Sequence, residues 1–202
     1  MTKATEALER EHKVIQKVVA IMAQLVEQLE MQHAVKPDIL RDVLQFMRVF
    51  GDQCHHGKEE SYLFPYLESK GVPSTGCPLS ALRGEHAKSR QLMDNLNSAT
   101  AAYIAEPETG RLTLIQVLTS LVSLYPAHIW KEDYLLFPLA EKILSERDHA
   151  ALLEQFEKAE EALGTDAHHS FEELADDLAL RIDQCPQCVS VGEITKARWN
   201  QS

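Results

Sequence analysis

Two segments of the chain repeat one set of side chains that can bind metal ions. Residues 55–65 read His-His-Gly-Lys-Glu-Glu-Ser-Tyr-Leu-Phe-Pro, and residues 128–138 read His-Ile-Trp-Lys-Glu-Asp-Tyr-Leu-Leu-Phe-Pro. At a constant offset of 73 residues, the first histidine, the lysine, the first glutamate and the final Leu-Phe-Pro coincide. A Glu-His pair also precedes each segment, at residues 11–12 and 85–86. Two such segments in one register indicate an internal repeat.

The repeat predicts a metal site. In each segment a glutamate follows the histidine by four residues, about one helical turn, so both side chains share a helix face. Four imidazoles and two carboxylates favour iron or manganese over calcium or magnesium, and a carboxylate can bridge two ions. This set does not fill two octahedral shells, and such open positions are typical of a reactive site. The candidate ligands are His12, His55, Glu59, His86, His128 and Glu132.

Each candidate taken alone also has a simpler interpretation. A lone histidine on an apolar helical stripe is commonly a hydrogen-bonded core residue, and a His-Glu pair one turn apart can be a surface pair. The same arrangement occurring twice favours the metal site. The repeat selects His55 over His56, because His56 coincides with Ile129, and it selects Glu59 over Glu60. The other histidines are predicted to be surface or cap residues: His33, His149, His168 and His169.

Helices must position these residues, and the composition between the breaks is helical throughout. Apolar residues at three- and four-residue steps predict four long helices. They run from about residue 5 to 33, from 37 to 71, from 78 to about 105, and from about 112 past 132, with a turn around residues 107–110. Pro126 lies inside the fourth helix and should bend it. Short turns favour an all-α, up-down-up-down four-helix bundle with inward-facing ligands.

Additional helices are predicted after the bundle. Ser145, with Asp148 three residues later, has the pattern of an N-cap. Apolar spacing then predicts a fifth helix that ends at Gly164 and a sixth that begins near residue 165. We therefore divide the chain into a bundle of two repeats, residues 1–144, and a helical extension with a cysteine pair and a polar tail, residues 145–202.

Composition limits the classes of partner. A chain of 202 residues that is 45% hydrophobic can bury a substantial core. Its 31 acidic and 20 basic residues give a net charge of −11, which argues against a nucleic-acid or anionic-membrane partner. The first residues lack the apolar core of a signal peptide, and no segment runs near twenty apolar residues. We therefore expect a soluble cytoplasmic protein with no membrane partner.

Four cysteines in a chain of this length do not indicate a disulfide framework. Cys185 and Cys188 have the spacing of a redox motif, but no strand pattern precedes them, so a thioredoxin-like fold is not predicted. A redox or metal-handling pair, half of a zinc knuckle and two unpaired thiols all stay open. Cys54 is interpreted as a small core residue, and Cys77 as a more accessible one.

The doubled motif resembles that of the hemerythrin-like, HHE cation-binding proteins. The two Glu-His pairs and the two His-x-x-x-Glu segments followed by Leu-Phe-Pro carry this resemblance, over roughly residues 5–144. Ferritin-like di-iron proteins use Glu-x-x-His instead. The resemblance implies a non-haem di-iron centre, with two iron ions inside the bundle. It also implies terminal ligands and bridges among the six candidates: His12, His55, His86 and His128 as terminal ligands, and Glu59 and Glu132 as bridges.

This chain differs from known members of that family in two ways. Oxygen-carrying hemerythrins have a second histidine one turn after the third-helix ligand, where this chain has Arg90. The four-His, two-Glu set is more similar to the di-iron proteins associated with iron–sulfur cluster repair and nitric-oxide stress. Those repair proteins carry a cysteine motif before the bundle, whereas this chain has its cysteine pair at the other end.

Three functions are consistent with these features. The first is a di-iron protein that binds and/or reduces a small oxidant, namely dioxygen, peroxide or nitric oxide. The second is an iron donor or repair protein with an iron–sulfur or redox protein partner. The third is a non-catalytic iron or oxygen sensor, in which the C-terminal helices report to a partner. Whether the chain is an enzyme stays open.

Overall fold

The computed structural model describes residues 2–164 and 166–183, and all regular structure within this part of the chain is helical. Helix α1 spans Ala4–Glu30. Its inner face carries Leu8, His12, Ile15 and Met22, each at most 1% exposed, as the apolar spacing predicts. The helix ends three residues before the predicted residue 33. The first predicted stripe, including its histidine, therefore faces the core.

The second bundle helix changes its hydrogen-bonding pattern along its length. It consists of α2 (Pro37–Phe46), π1 (Met47–His56), π2 (Glu59–Leu63) and α3 (Phe64–Ser69), joined without a break. In a π segment the backbone bonds run from residue i to residue i+5, so each turn holds more residues than an α-turn does. Adjacent side chains near the site therefore do not follow the α-helical spacing used for the prediction.

The third and fourth bundle helices form a tight antiparallel pair. They consist of α4 (Leu79–Ala105), then α5 (Pro107–Lys131), π3 (Glu132–Leu136) and α6 (Phe137–Ile143). Residues 107–110, predicted as a turn, belong to the first turn of α5. A Cβ atom on Gly110 would lie 2.5 Å from the backbone nitrogen of Tyr103, so glycine permits this close approach. Pro126 lies within α5, which continues to Lys131.

Both repeats place a π segment in front of a proline. The segment π2 ends two residues before Pro65, and π3 ends two residues before Pro138. Proline lacks an N–H group and its ring collides with the carbonyl group four residues earlier, so a regular α-turn is disfavoured there. The repeated Leu-Phe-Pro motif therefore coincides with a repeated local geometry.

The four bundle helices enclose two apolar layers with a polar layer between them. Helix α1 packs against α5 and π1, and α4 packs against α5 and α2. One apolar cluster includes Ile15, Phe50 and Leu96, and the other includes Leu8, Phe64 and Phe137. The predicted ligands occupy the chain positions between these clusters. The predicted all-α bundle with additional C-terminal helices is confirmed.

The C-terminal helices pack on one side of the bundle. Helix α7 spans Glu146–Leu163 and contacts π1 and π2, while α8 spans Ala167–Asp183 and contacts α1 and α2. The predicted N-cap is present, because Ser145 Oγ accepts a hydrogen bond from the backbone N–H of Asp148 at 3.3 Å. The division of the chain at residue 144 stays a prediction. Cys185, Cys188 and the predicted tail lie outside the described residues.

One helical stretch, residues 107–143, is long and apolar enough to cross a membrane by length and composition alone. Its most apolar window has a mean hydropathy of 1.4, and 39% of that window is buried within the protein. The stretch contains α5 and packs against α1 and α4 in the bundle. A core helix passes the same test, so this property does not by itself indicate a membrane protein.

Candidate metal centre

The structure brings all six predicted ligands together in the polar layer of the bundle. They come from all four bundle helices, and each is at most 3% exposed. The two glutamates both lie in π segments, and three of the four histidines lie in α-helices or at their ends. They are His12 on α1, His55 in π1, Glu59 in π2, His86 on α4, His128 on α5 and Glu132 in π3.

One half of the layer forms a compact nitrogen and oxygen cluster. Nε2 of His12 lies 2.9 Å from Nε2 of His55 and 3.2 Å from Oε2 of Glu132. Two ligands at right angles around one ion, each bound at about 2.1 Å, would lie about 3 Å apart. The observed separations therefore match neighbouring ligands of a single first-row ion.

The other half repeats this arrangement around the second histidine pair. Nε2 of His128 lies 3.2 Å from Oε1 of Glu132, and Nε2 of His86 lies 3.6 Å from the same oxygen. The two oxygens of Glu132 thus face different histidine pairs. Oε2 of Glu59 lies 3.4 Å from Nε2 of His86 and 3.9 Å from Nε2 of His55. Both carboxylates are therefore placed between two ion positions, as bridging ligands would be.

Several of these buried atoms have no hydrogen-bond partner among the described residues. They are Nε2 of His86, Nε2 of His128, and both carboxylate oxygens of Glu59 and of Glu132. Leaving a buried polar atom without a partner costs about 1–3 kcal/mol, and a buried carboxylate costs more unless it is paired or binds a metal. Ions bound between the two histidine pairs would satisfy all of these atoms. The donor set thus fits a pair of transition-metal ions.

A second layer of carboxylates holds the four histidines. Each Nδ1 atom lies 2.6–3.0 Å from a carboxylate oxygen, which leaves each Nε2 directed inward. Such contacts fix the ring orientation of metal-binding histidines. The four pairs follow the repeat: His55 with Glu11, His128 with Glu85, His86 with Glu60, and His12 with Asp133.

These four outer carboxylates were not predicted as site residues, although the repeat contained a signal for them. Glu11 and Glu85 precede the first histidine of each repeat, and Glu60 and Asp133 follow the bridging glutamate. Their duplication was visible in the sequence. Their partners were not, because each outer carboxylate contacts a histidine on another bundle helix.

Two lysines extend the network behind two of the outer carboxylates. Lys58 Nζ donates to Oε1 of Glu11 and to Oε1 of Glu160 on α7, and Lys131 Nζ donates to Oε1 of Glu85. Lys58 is 1% exposed, whereas the side chain of Lys131 is 35% exposed. The C-terminal extension therefore covers one half of the duplicated site.

The histidine pair in the first half has opposite pKa shifts. Burial lowers the pKa of His55 to about 4, despite its contact with Glu11. Burial also opposes the charge on His12, but the contacts with Asp133 and Glu132 raise the pKa of His12 to about 9. Without a metal, a protonated His12 can donate to the neutral ring of His55. A bound ion would replace that proton.

The two central carboxylates are also shifted apart. Burial and the negative charge of Glu132 raise the pKa of Glu59 well above its usual value. Burial acts on Glu132 as well, but His128 and His12 hold its pKa well below the usual range. Two carboxylates this close cannot both be charged without nearby positive charge. Metal binding would therefore also displace the proton of Glu59.

The remaining histidines lie outside the cluster of six candidate ligands. His169 is exposed, and His149 accepts a hydrogen bond at 3.3 Å from the backbone N–H of Ala4, at the start of α1. His168 keeps 29% of its side chain exposed, and its Nε2 lies 3.2 Å from Oε1 of Glu11. His168 therefore contacts the outer layer of the site.

The described cysteines are as expected from their positions. Cys54 is 4% exposed, and burial raises the pKa of its thiol to about 12, so the thiol is protonated and unreactive. Cys77 is exposed in the loop before α4. Neither side chain belongs to the cluster of buried donors.

Fold and site together define a helical bundle with a buried, duplicated cluster of donors that could hold metal ions. The chain belongs to the family of the hemerythrin HHE cation-binding domain, whose family model matches residues 3–140. This match confirms the family resemblance of the doubled motif.

The proteins that are similar to this chain include two groups of relatives. The uncharacterized proteins Rv1995 of Mycobacterium tuberculosis and Mb2018 of Mycobacterium bovis are each 30% identical over 157 residues, 78% of this chain and 61% of each relative. The iron-sulfur cluster repair protein YtfE of Salmonella newport is 28% identical over 117 residues, 55% of this chain and 53% of that protein. The chain thus spans less than two thirds of these relatives. No solved structure matches it.

Proposed function

We propose that this protein holds a non-haem di-iron centre and uses it to bind and/or reduce a small oxidant: dioxygen, peroxide or nitric oxide. The ligands would be the four inward histidines and, as bridges, Glu59 and Glu132. One observation carries the proposal. The buried donors converge from both repeats, with the oxygens of Glu132 3.2 Å from one imidazole nitrogen of each pair.

The protein's own residues would hold and shield the ions. Two iron ions, when bound, supply electrons for the reduction of an oxidant. The outer carboxylates orient the four rings and increase their basicity. The apolar layers on both sides exclude water from the centre. Six protein ligands leave positions open for a small molecule.

A groove offers a route toward the first histidine pair. It has a volume of about 460 Å³ and runs between α1 and α5, where Tyr125, Trp130 and Tyr134 contribute to its walls. Asp133 also lies in its wall, and Oδ1 of Asp133 is 2.6 Å from Nδ1 of His12. The wall of the groove therefore includes the outer carboxylate that contacts His12.

A soluble cytoplasmic location is part of the same proposal. The net charge of −11 disfavours nucleic acid and anionic membranes as partners. The packing of α5 inside the bundle accounts for its apolar composition without a membrane.

Metal analysis combined with anaerobic titration tests the proposal. The purified protein should contain about two irons per chain, and the reduced protein should consume dioxygen, peroxide or nitric oxide. The double variant Glu59→Ala, Glu132→Ala should lose the iron and the reaction, because both bridges are removed. A matched control, Glu172→Ala with Glu173→Ala, changes two glutamates on α8 and should keep both irons.

Two results would contradict the ligand assignment or the reaction. Full retention of two irons by the Glu59, Glu132 double variant would exclude these carboxylates as bridges. A stable, reversible adduct with dioxygen, without net consumption of any of the three oxidants, would exclude reduction and leave binding alone.

An iron donor or repair protein is the second candidate, because YtfE, with which this chain shares 28% identity over 117 residues, is an iron-sulfur cluster repair protein. A donor must release its iron. Transfer of both irons to a damaged iron–sulfur protein faster than to a chelator of equal affinity would support this function. The variant Cys185→Ser, Cys188→Ser tests whether the cysteine pair takes part in the transfer.

A sensor is favoured by a different contact. Glu160 on α7 and His168 on α8 both meet the outer layer of the site, through Lys58 and Glu11 respectively. In a sensor, iron binding should change hydrogen exchange in α7 and α8. Unchanged exchange in both helices would exclude this function.

A further inference from the structure

His56 stands beside the proposed centre but has no counterpart in the repeat, where Ile129 occupies its position. It is the last residue of π1 and is 1% exposed. Regular α-helical spacing would turn neighbouring side chains about 100° apart. In this π segment His55 and His56 both point into the bundle, with ring centroids 5.7 Å apart.

The ring of His56 lies against the second histidine pair. It stacks on His86 with centroids 3.9 Å apart and an angle of 13° between the planes, and its edge meets His128 at 5.3 Å. One ring nitrogen from each of these three histidines can be chosen so that all three lie within 4.8 Å of one another. The three rings therefore surround one point on the second side of the centre.

His56 contacts a carboxylate through Nδ1, as the four inward histidines do. Its Nδ1 lies 3.2 Å from Oδ1 of Asp52, a carboxylate one turn earlier. Its Nε2 is buried and has no hydrogen-bond partner in the described part of the chain. A histidine that served only as packing could direct this nitrogen to water or to a backbone group. Here it faces the cluster of unpartnered donors.

Arg90 supports this arrangement from outside. Its Nε atom donates to Oδ1 of Asp52 at 2.8 Å, and one terminal nitrogen donates to Oε2 of Glu60 at 2.9 Å. These two carboxylates contact Nδ1 of His56 and Nδ1 of His86 respectively. Arg90 thus holds the outer partners of two stacked imidazoles that belong to different bundle helices.

We propose that His56 is a fifth histidine ligand and binds the same ion as His86 and His128. This inference rests on the proposed metal pair and deepens it. If each bridging carboxylate gives one oxygen to each ion, the second ion has five protein ligands and the first has four. The more open ion is then the one held by His12 and His55.

X-ray absorption of the intact protein, loaded with two Co²⁺ or two Fe²⁺ ions, counts the histidines directly. Five histidines on two ions give an average of 2.5 imidazoles per ion, and four give 2.0. The inference expects the higher value. It also expects two unequal iron environments in the Mössbauer spectrum of the ⁵⁷Fe²⁺ protein.

The variant His56→Phe keeps an aromatic ring on His86 and removes the nitrogen. In this variant the average should fall to 2.0 imidazoles per ion, and the affinity for one Co²⁺ ion should fall by more than about 100-fold. Losing only the hydrogen-bond partner of a ligand already lowers metal affinity by about 10–100-fold. The matched control His149→Phe removes another buried histidine, outside the centre, and should retain both ions with an average of 2.5 imidazoles per ion. The unfolding of both metal-free variants reports any loss of stability.

The outcomes separate this inference from the function on which it rests. A parent protein with two ions and 2.0 imidazoles per ion overturns the role of His56 and leaves the metal pair intact. A parent protein that binds no pair of ions overturns both. The parent measurement decides the question even if His56→Phe fails to fold.

Discussion

Replacing Lys58 by methionine should destabilise the protein far more than the same replacement of Lys131, although the two lysines are equivalent in the repeat. Lys58 is 1% exposed and bonds to Glu11, which is itself 2% exposed, and to Glu160. Methionine keeps the apolar stem of the side chain, and it would lie near the ring of Phe156, 5.7 Å from the present ammonium group. The replacement therefore removes mainly the positive charge of the side chain.

The expected loss of stability in each variant follows from the burial of its ion pair. Removing one partner of a buried ion pair leaves an uncompensated charge and costs about 3–5 kcal/mol. Lys131 and Glu85 have side chains 35% and 22% exposed, and a pair this accessible contributes about 0–1 kcal/mol. The two variants should thus differ by about 2–5 kcal/mol. For a chain of this size, that difference corresponds to roughly 4–20 °C in Tm.

Urea unfolding of the metal-free protein, followed by circular dichroism, measures both variants under identical conditions. Adding Glu160→Gln to each variant completes a double-mutant cycle. We expect strong coupling of Glu160 with Lys58 and none with Lys131, since only Lys58 contacts α7. Equal losses in the two lysine variants, or no coupling with Glu160, would refute the argument that the C-terminal helices bury one half of the site.

Three further perturbations test other parts of the structure. Anaerobic Fe²⁺ titration near pH 7 should release about two to three protons per ion pair, because three ligands lose protons: His12, with a pKa of about 9, and Glu59 and His86, whose pKa values are both raised. Calorimetry in buffers of different ionisation enthalpy gives the count, and a count near zero would contradict these protonation states. Asp148→Asn should lower stability above pH 4 and matter less near pH 2. The salt bridge with Lys70 depresses the pKa of Asp148 below its ordinary value of 3.8. The stabilisation by this salt bridge is therefore present above pH 3.8 and is lost as the pH falls through the pKa of Asp148 in the folded protein. Urea unfolding across this pH range checks the sign. Gly110→Ala should cost about 1–3 kcal/mol by crowding the neighbouring backbone, while Gly84→Ala, with nothing within 4 Å, should be neutral or stabilising in the same assay.

The bundle and the six candidate ligands could be predicted because both depend on local spacing. Apolar steps of three and four residues define inner helix faces, and His12 and His86 fall on them. A histidine and a glutamate four residues apart share a face in any α-like helix. The repeat then supplied the second copy of each feature. Their role as ligands stays a prediction.

His56 and His168 show where local spacing was insufficient. The comparison of repeats set His56 aside because Ile129 coincides with it, but both adjacent histidines of π1 are buried, with ring centroids 5.7 Å apart. His168 was interpreted as a surface or cap residue, and its contact with the outer layer of the site was not predicted. Its partner, Glu11, lies 157 positions away, and only the packing of α8 on α1 brings them together.

The sequence by itself determined the duplicated donors and the helices that carry them, because both depend on interactions over a few residues. Only the tertiary structure decided how the two copies differ. Lys58 and Lys131 have the same neighbours in the repeat, yet α7 covers the first and leaves the second partly exposed. Burial depends on segments far away in the chain, and burial sets the energetic weight of a charge. The asymmetry of the centre therefore arises from the extension that covers it.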